Sequence, residues 1–124
     1  MAALIEPFTV GCRAARRGMP QKGEKAVVFG AGTIGIAAAI ALKYFGCEQV
    51  VICDYSDLRL EICKQLGFEI YNNKKDYELT GLLNILGKNV GINGDAIDCD
   101  IWVDAAGADS VMSAYEKFGK YNSR

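Results

Sequence analysis

The sequence predicts an α/β fold, a parallel sheet of about four strands with helices on both faces. Three observations carry this. Short apolar runs alternate with longer helical segments along the 124 residues. The first run, Val27-Val28-Phe29, opens directly into Gly30-Ala31-Gly32-Thr33-Ile34-Gly35 and then into small and aliphatic residues. The second, Val50-Val51-Ile52-Cys53, ends on Asp54. Strand, glycines, helix, second strand and terminal acid in that order describe a Rossmann-type βαβ unit, the unit that binds a dinucleotide.

The elements follow in order. Pro7 to about Arg16 reads as a helix, because proline suits a first helical turn and Leu4, Ile5 and Phe8 cluster on one side. Gly18 to Gly23 is a loop. Glu24 to Phe29 is the first strand. A helix from about Gly32 to Tyr44 follows, its alanines suited to close packing on a sheet, and Gly46 ends it. Gln49 to Cys53 is the second strand. Ser56 or Asp57 caps a helix through Leu66, closed by Gly67. Phe68 to Tyr71 is the third strand. Asp76 to about Leu86 reads as helical, with Leu79, Leu82, Leu83 and Leu86 on one face. Gly87 to Asp98 is loop-rich. Ile101 to Asp104 is the fourth strand, and a helix is expected from about Asp109 to Phe118. A complete dinucleotide fold has six strands, so the chain reads as a piece of a longer protein. Residues 1–22 would be a linking helix and loop from a missing catalytic domain. Residues 23–124 would be an incomplete dinucleotide-binding domain. The bare edge at Ile101 to Ala105 should then self-associate or be covered by the C-terminal tail.

Composition narrows the function. Half the residues are apolar and the net charge is −1, with both signs interleaved. No basic patch points to nucleic acid, and no apolar run has the length of a membrane span. Five cysteines without a Cys-x-x-Cys pair suggest a reduced, cytoplasmic protein. The sequence has no histidine, which removes Ser-His-Asp, Cys-His and His-metal chemistry from this chain.

Each motif residue has a physical role. Gly30 makes the tight turn out of the strand. Gly32 lets backbone approach a pyrophosphate. Gly35 lets helix and strand pack closely. With no Lys or Arg in the loop, the anion meets free N–H groups and the helix dipole. Asp54 accepts hydrogen bonds from the adenosine ribose. A 2′-phosphate there would face a carboxylate. At about 4 Å and an effective dielectric of about 20, the repulsion is roughly 4 kcal/mol, which favours NAD over NADP.

The whole order resembles the cofactor domain of medium-chain zinc-dependent dehydrogenases, the sorbitol and polyol dehydrogenases above all. The resemblance rests on Ala3-Leu4-Ile5-Glu6-Pro7, Arg16-Arg17-Gly18, the glycine motif, Asp54, Arg59-Leu60, Leu66-Gly67 and Trp102-Val103-Asp104-Ala105-Ala106-Gly107. It implies an NAD-dependent oxidoreductase acting on an alcohol or polyol, forming a homo-oligomer. It places Thr33 and Ile34 beside the pyrophosphate, Arg59 at the adenosine end of the NAD, and Ala105 and Ala106 near the nicotinamide. It also puts Glu6 at the position that faces the catalytic zinc of the parent enzyme. On the residues alone, Glu6 is an ordinary carboxylate near a helix start and Arg59 an exposed first-turn residue. The family's Cys and Gly-His-Glu zinc site, its cysteine-bound structural zinc and its fifth and sixth strands have no counterpart in this sequence, and Arg13 stands where relatives often have His. The segment alone should therefore be inactive.

Other readings compete. Tyr71-x-x-x-Lys75 matches a short-chain dehydrogenase motif, but that motif needs a helix and Tyr71 ends a predicted strand. A methyltransferase would carry an acid before the glycines, where Ala26 to Phe29 is uncharged. A regulatory NAD-sensing module would share the glycines and Asp54 without chemistry, but such modules usually start at the first strand, and here Leu4 to Gly18 precede it.

Overall fold

A computed structural model describes residues 2–74, 80–91, 94–106, 115, 119–120 and 123. Among them the order is α1 (Ala2–Arg17), β1 (Lys25–Phe29), α2 (Thr33–Tyr44), β2 (Gln49–Asp54), α3 (Asp57–Gln65), β3 (Glu69–Asn72), α4 (Thr80–Leu86), β4 (Lys88–Gly91), β5 (Gly94–Ile97) and β6 (Ile101–Asp104). Four strands form one parallel sheet in the order β3-β2-β1-β6. This is the arrangement expected of the predicted first to fourth strands.

Strand periodicity divides the core into two layers, because successive side chains point to opposite faces. Ala26, Val28, Val50, Ile52, Ile101 and Val103 face a layer that holds α2 residues Ala38, Ala39 and Leu42, together with Leu60 and Cys63 of α3. Val27, Phe29, Val51 and Cys53 face the other way, toward Leu82 and Leu86 of α4 and Ile97 of β5. Both faces of the sheet are covered, which is why β1 and β2 read as continuous apolar runs rather than alternating ones. Each fully buried aliphatic side chain, such as Leu42, Ile52 or Leu82, adds about 2 kcal/mol to the driving force.

Two elements differ from the sequence reading. Helix α1 begins at Ala2 rather than near Pro7, so the proline falls inside the helix. The segment read as loop-rich contains an antiparallel hairpin, β4 paired with β5 from Lys88↔Ile97 to Gly91↔Gly94. Its strands are four residues each and rich in glycine and polar groups, with little apolar alternation to mark them. Tertiary packing supplies what periodicity does not, for Ala96 and Ile97 are buried. The expected helix 109–118 lies outside the described residues apart from Tyr115, as does Lys75.

At the sheet margin, β6 hydrogen-bonds to β1 on its inner side. The Tyr115 ring stands edge-on to Trp102, centroids 5.6 Å apart, and Gly119 bridges to Ile97. C-terminal residues therefore lie against this end of the sheet.

Candidate dinucleotide-binding site

The site forms where parallel strands run out at their C-terminal ends, the usual crevice of an open α/β sheet. A cavity of about 300 Å³ opens there. Six residues expected from the sequence line it: Gly30, Gly32, Asp54, Arg59, Ala105 and Ala106. They come from the ends of β1, β2 and β6 and from the first turn of α3, so residues up to 76 positions apart (106 − 30) meet at one opening. Thr33 and Ile34 are exposed in the first turn of α2. Gly35 is buried beneath it.

The three motif glycines separate by what surrounds them. Gly30 has φ +114°, in the region L side chains rarely adopt, and a Cβ there would come within 3.1 Å of the Ala105–Ala106 peptide. A Cβ on Gly35 would fall on the Gly30 carbonyl oxygen. Both are therefore glycine because the fold requires it. Gly32 is different. Its backbone is extended (φ −80°, ψ −171°), which any residue adopts, and a Cβ there would meet nothing within 4 Å. The protein does not need a glycine at 32, but a ligand approaching the backbone would. Gly32 also caps α2 without a side-chain hydrogen bond. The first-turn N–H groups of α2 have no acceptor within the helix and carry the positive end of its dipole. Such an end suits a phosphate.

Asp54 is the charged group of the site. Its side chain is 13% exposed. Oδ2 accepts the Ala31 N–H at 2.7 Å and Oδ1 the Ser56 N–H at 3.0 Å. Arg59 Nη1 stands 3.9 Å from Oδ2. Burial pushes the Asp54 pKa up, but the N–H groups of Ala31, Ser56 and Tyr55 and the Arg59 charge outweigh it and hold the carboxyl below its ordinary range. Asp54 is thus an anion in neutral solution, and each oxygen keeps acceptor capacity for a hydroxyl. Ser56 caps α3 by accepting the Arg59 N–H at 3.4 Å, which fixes the base of the Arg59 side chain beside Asp54.

Cys53, Phe29, Tyr55 and Asn73 also line the cavity, and the sequence reading gave none of them a role. Burial, then the Cys99 and Asp54 charges, push the Cys53 thiol far up, so it stays protonated and supplies no nucleophile. Tyr55 follows β2 and Asn73 follows β3. The rule that ligands lie beyond the carboxyl ends of strands would have found both. Glu6 sits in α1 by its backbone, but its side chain lies outside the described residues. Among the described residues no group of three His, Cys, Asp or Glu is placed to hold a metal ion.

No family model matches the chain. Individual proteins do. Sorbitol dehydrogenase of Rattus norvegicus is 48% identical over 65 residues, 52% of this chain and 18% of that protein. D-xylulose reductase of Scheffersomyces stipitis is 35% identical over 91 residues, 73% of this chain and 25% of that protein. Among solved structures, an Escherichia coli short chain alcohol dehydrogenase complexed with NADH superposes with TM-score 0.75 at 28% identity, over 93% of this chain and 32% of that one. The zinc dependent alcohol dehydrogenase 2 of Streptococcus pneumonia superposes with TM-score 0.76 at 18% identity, over 94% of this chain and 33% of that one, and so shares the fold. The chain spans about a third or less of the length of these proteins. Shared residues and shared fold lead to one conclusion: over its length the chain is similar to a segment of polyol and alcohol dehydrogenases.

Proposed function

We propose that this chain is the NAD-binding domain of an alcohol or polyol dehydrogenase. The observation that carries the reading is Gly32, a glycine the fold does not require, beside an uncapped helix start and across a cavity from an ionised Asp54. A dinucleotide presents the two groups this pairing suits. Its pyrophosphate takes the N–H groups at Gly32, Thr33 and Ile34. Its adenosine ribose donates to Asp54, with Arg59 alongside. Gly30 and the Ala105–Ala106 peptide then border the path toward the nicotinamide. Bound there, the cofactor supplies a hydride acceptor for oxidation of an alcohol. The chain's residues bind and orient it.

Zinc is a different matter. The sequence has no histidine, and Cys47, Cys53, Cys63 and Cys99 are buried, so these donors do not fit a catalytic zinc site. Zinc chemistry and the alcohol-binding pocket belong to other parts of the whole protein, and this segment by itself turns over no alcohol. A reducing cytoplasmic setting suits its five unbridged thiols, and a homo-oligomer suits the family.

The test is a titration of the chain with NADH and with NADPH, following fluorescence of its single tryptophan, Trp102. Saturable NADH binding, at least ten-fold tighter than NADPH, is expected. Equal or tighter NADPH binding, or no binding of either, contradicts the reading.

A further inference from the structure

We propose that Asp54 is the positioning residue of the glycine turn, which it braces through the Ala31 N–H as well as facing the ribose. The inference rests on the reading that the cavity takes a dinucleotide, but its geometry stands in the protein alone. Two consecutive N–H groups of the turn are tied to the end of β2. Gly30 donates to the Cys53 carbonyl at 2.8 Å, and Ala31 donates to Asp54 Oδ2 at 2.7 Å, across 23 residues of sequence. The carboxylate is itself held, because its second oxygen accepts the Ser56 N–H at 3.0 Å. Asp54 therefore spans the β1–α2 turn and the β2–α3 turn. The Ala31 methyl is buried in the core, so Ala31 is fixed at both its side chain and its N–H. The next residue, Gly32, is where the chain leaves this anchorage and begins α2. A charge-assisted hydrogen bond is roughly twice as strong as a neutral one. Removing it frees the residue that aims the phosphate-binding N–H groups.

The consequence concerns cofactor choice. If Asp54 only repelled a 2′-phosphate, replacing it with a neutral residue would improve NADPH binding. As the brace of the turn, Asp54 serves both cofactors at once. Asp54→Ala should then lose NADH without gaining NADPH.

Amide exchange on the cofactor-free chain reads the brace directly. In Asp54→Ala the Ala31 amide should exchange at least ten-fold faster, while Val27 and Val28 inside β1 keep their protection. Asp54→Asn, which retains an acceptor oxygen, should keep most of the Ala31 protection. Unchanged Ala31 exchange in Asp54→Ala overturns the proposal. Should Asp54→Ala also lose protection at Val27 and Val28, the wild-type chain decides. Its Ala31 amide shift should titrate with the Asp54 carboxyl in acid, and a shift that stays flat overturns the brace. In the binding arm, a ten-fold gain in NADPH affinity by Asp54→Ala overturns it, and no gain supports it. A wild-type chain that binds neither cofactor sinks the functional reading, and the amide arm still decides the brace.

Discussion

The two ends of the sheet use the same residue types to opposite ends. Where the strands begin, Lys25 Nζ meets Asp98 at 3.1 Å, and Lys120 Nζ meets Asp98 at 2.9 Å and Asp100 at 2.7 Å. Asp100 also accepts the Lys25 N–H at 2.9 Å. Two acids and two lysines neutralise one another, and the result is a clamp joining β1, the β5–β6 connection and the C-terminal residues. Where the strands end, Asp54 takes N–H groups from its own turns and has an arginine only at 3.9 Å. The start of α2 is uncapped, and both border open space. Polar groups that satisfy one another hold a fold together. Polar groups that face a cavity with capacity left over mark a place for a ligand.

The contrast can be broken most severely at Gly35. Gly35→Ala places a methyl on the Gly30 carbonyl, and backbone must move. A loss of about 3 kcal/mol or more is expected, read as a fall in the denaturant midpoint. Asp98→Ala tests the clamp. It leaves Lys25 and Lys120 short of a partner at side chains about a quarter exposed or less, and should cost about 1–2 kcal/mol while NADH affinity stays unchanged.

Acidity separates the two ends by sign. The folded pKa of Asp54 lies below its ordinary 3.8. Its stabilising contribution is complete above that value and is lost as pH falls through the folded pKa. Burial pushes the Lys120 pKa down, but hydrogen bonds and charges from Asp100 and Asp98 raise it above 10.5. Its contribution is complete below 10.5 and is lost as pH rises through the folded value. Amide exchange should therefore loosen first at Ala31 in acid and first at Asp98 to Asp100 in alkali. Loosening at the same end in both directions would contradict this division. The smallest effect belongs to Arg59→Ala, whose side chain is 63% exposed. Stability should stay within about 0.5 kcal/mol and NADH affinity should fall only a few-fold.

Much of this was legible in the sequence because β1, α2, β2 and α3 combine long apolar runs with glycine and serine punctuation. Where propensity and packing agree, the boundaries fall within a residue or two. The β4–β5 hairpin was not legible, since Ile97 owes its burial to a cluster with Leu82 and Leu86, contacts that no local pattern encodes. Asp54, Gly30 and Gly32 could be placed from spacing alone. Tyr55 and Asn73 carry no signal in their residue type, and only the rule that ligands lie beyond the carboxyl ends of parallel strands points to them. The pairing of Asp54 with the Ala31 N–H was equally hidden. It depends on the closeness of two turns, which only the assembled sheet reveals.

Gly32→Ala tests the central claim most directly, with stability and NADH affinity measured on the same preparation. A methyl at 32 meets no protein atom within 4 Å, so unfolding should be unchanged to within about 0.5 kcal/mol. The same methyl stands where a pyrophosphate would approach the backbone, so NADH affinity should fall at least ten-fold. Undiminished NADH binding by Gly32→Ala would show that the open face of the glycine turn does not receive the cofactor.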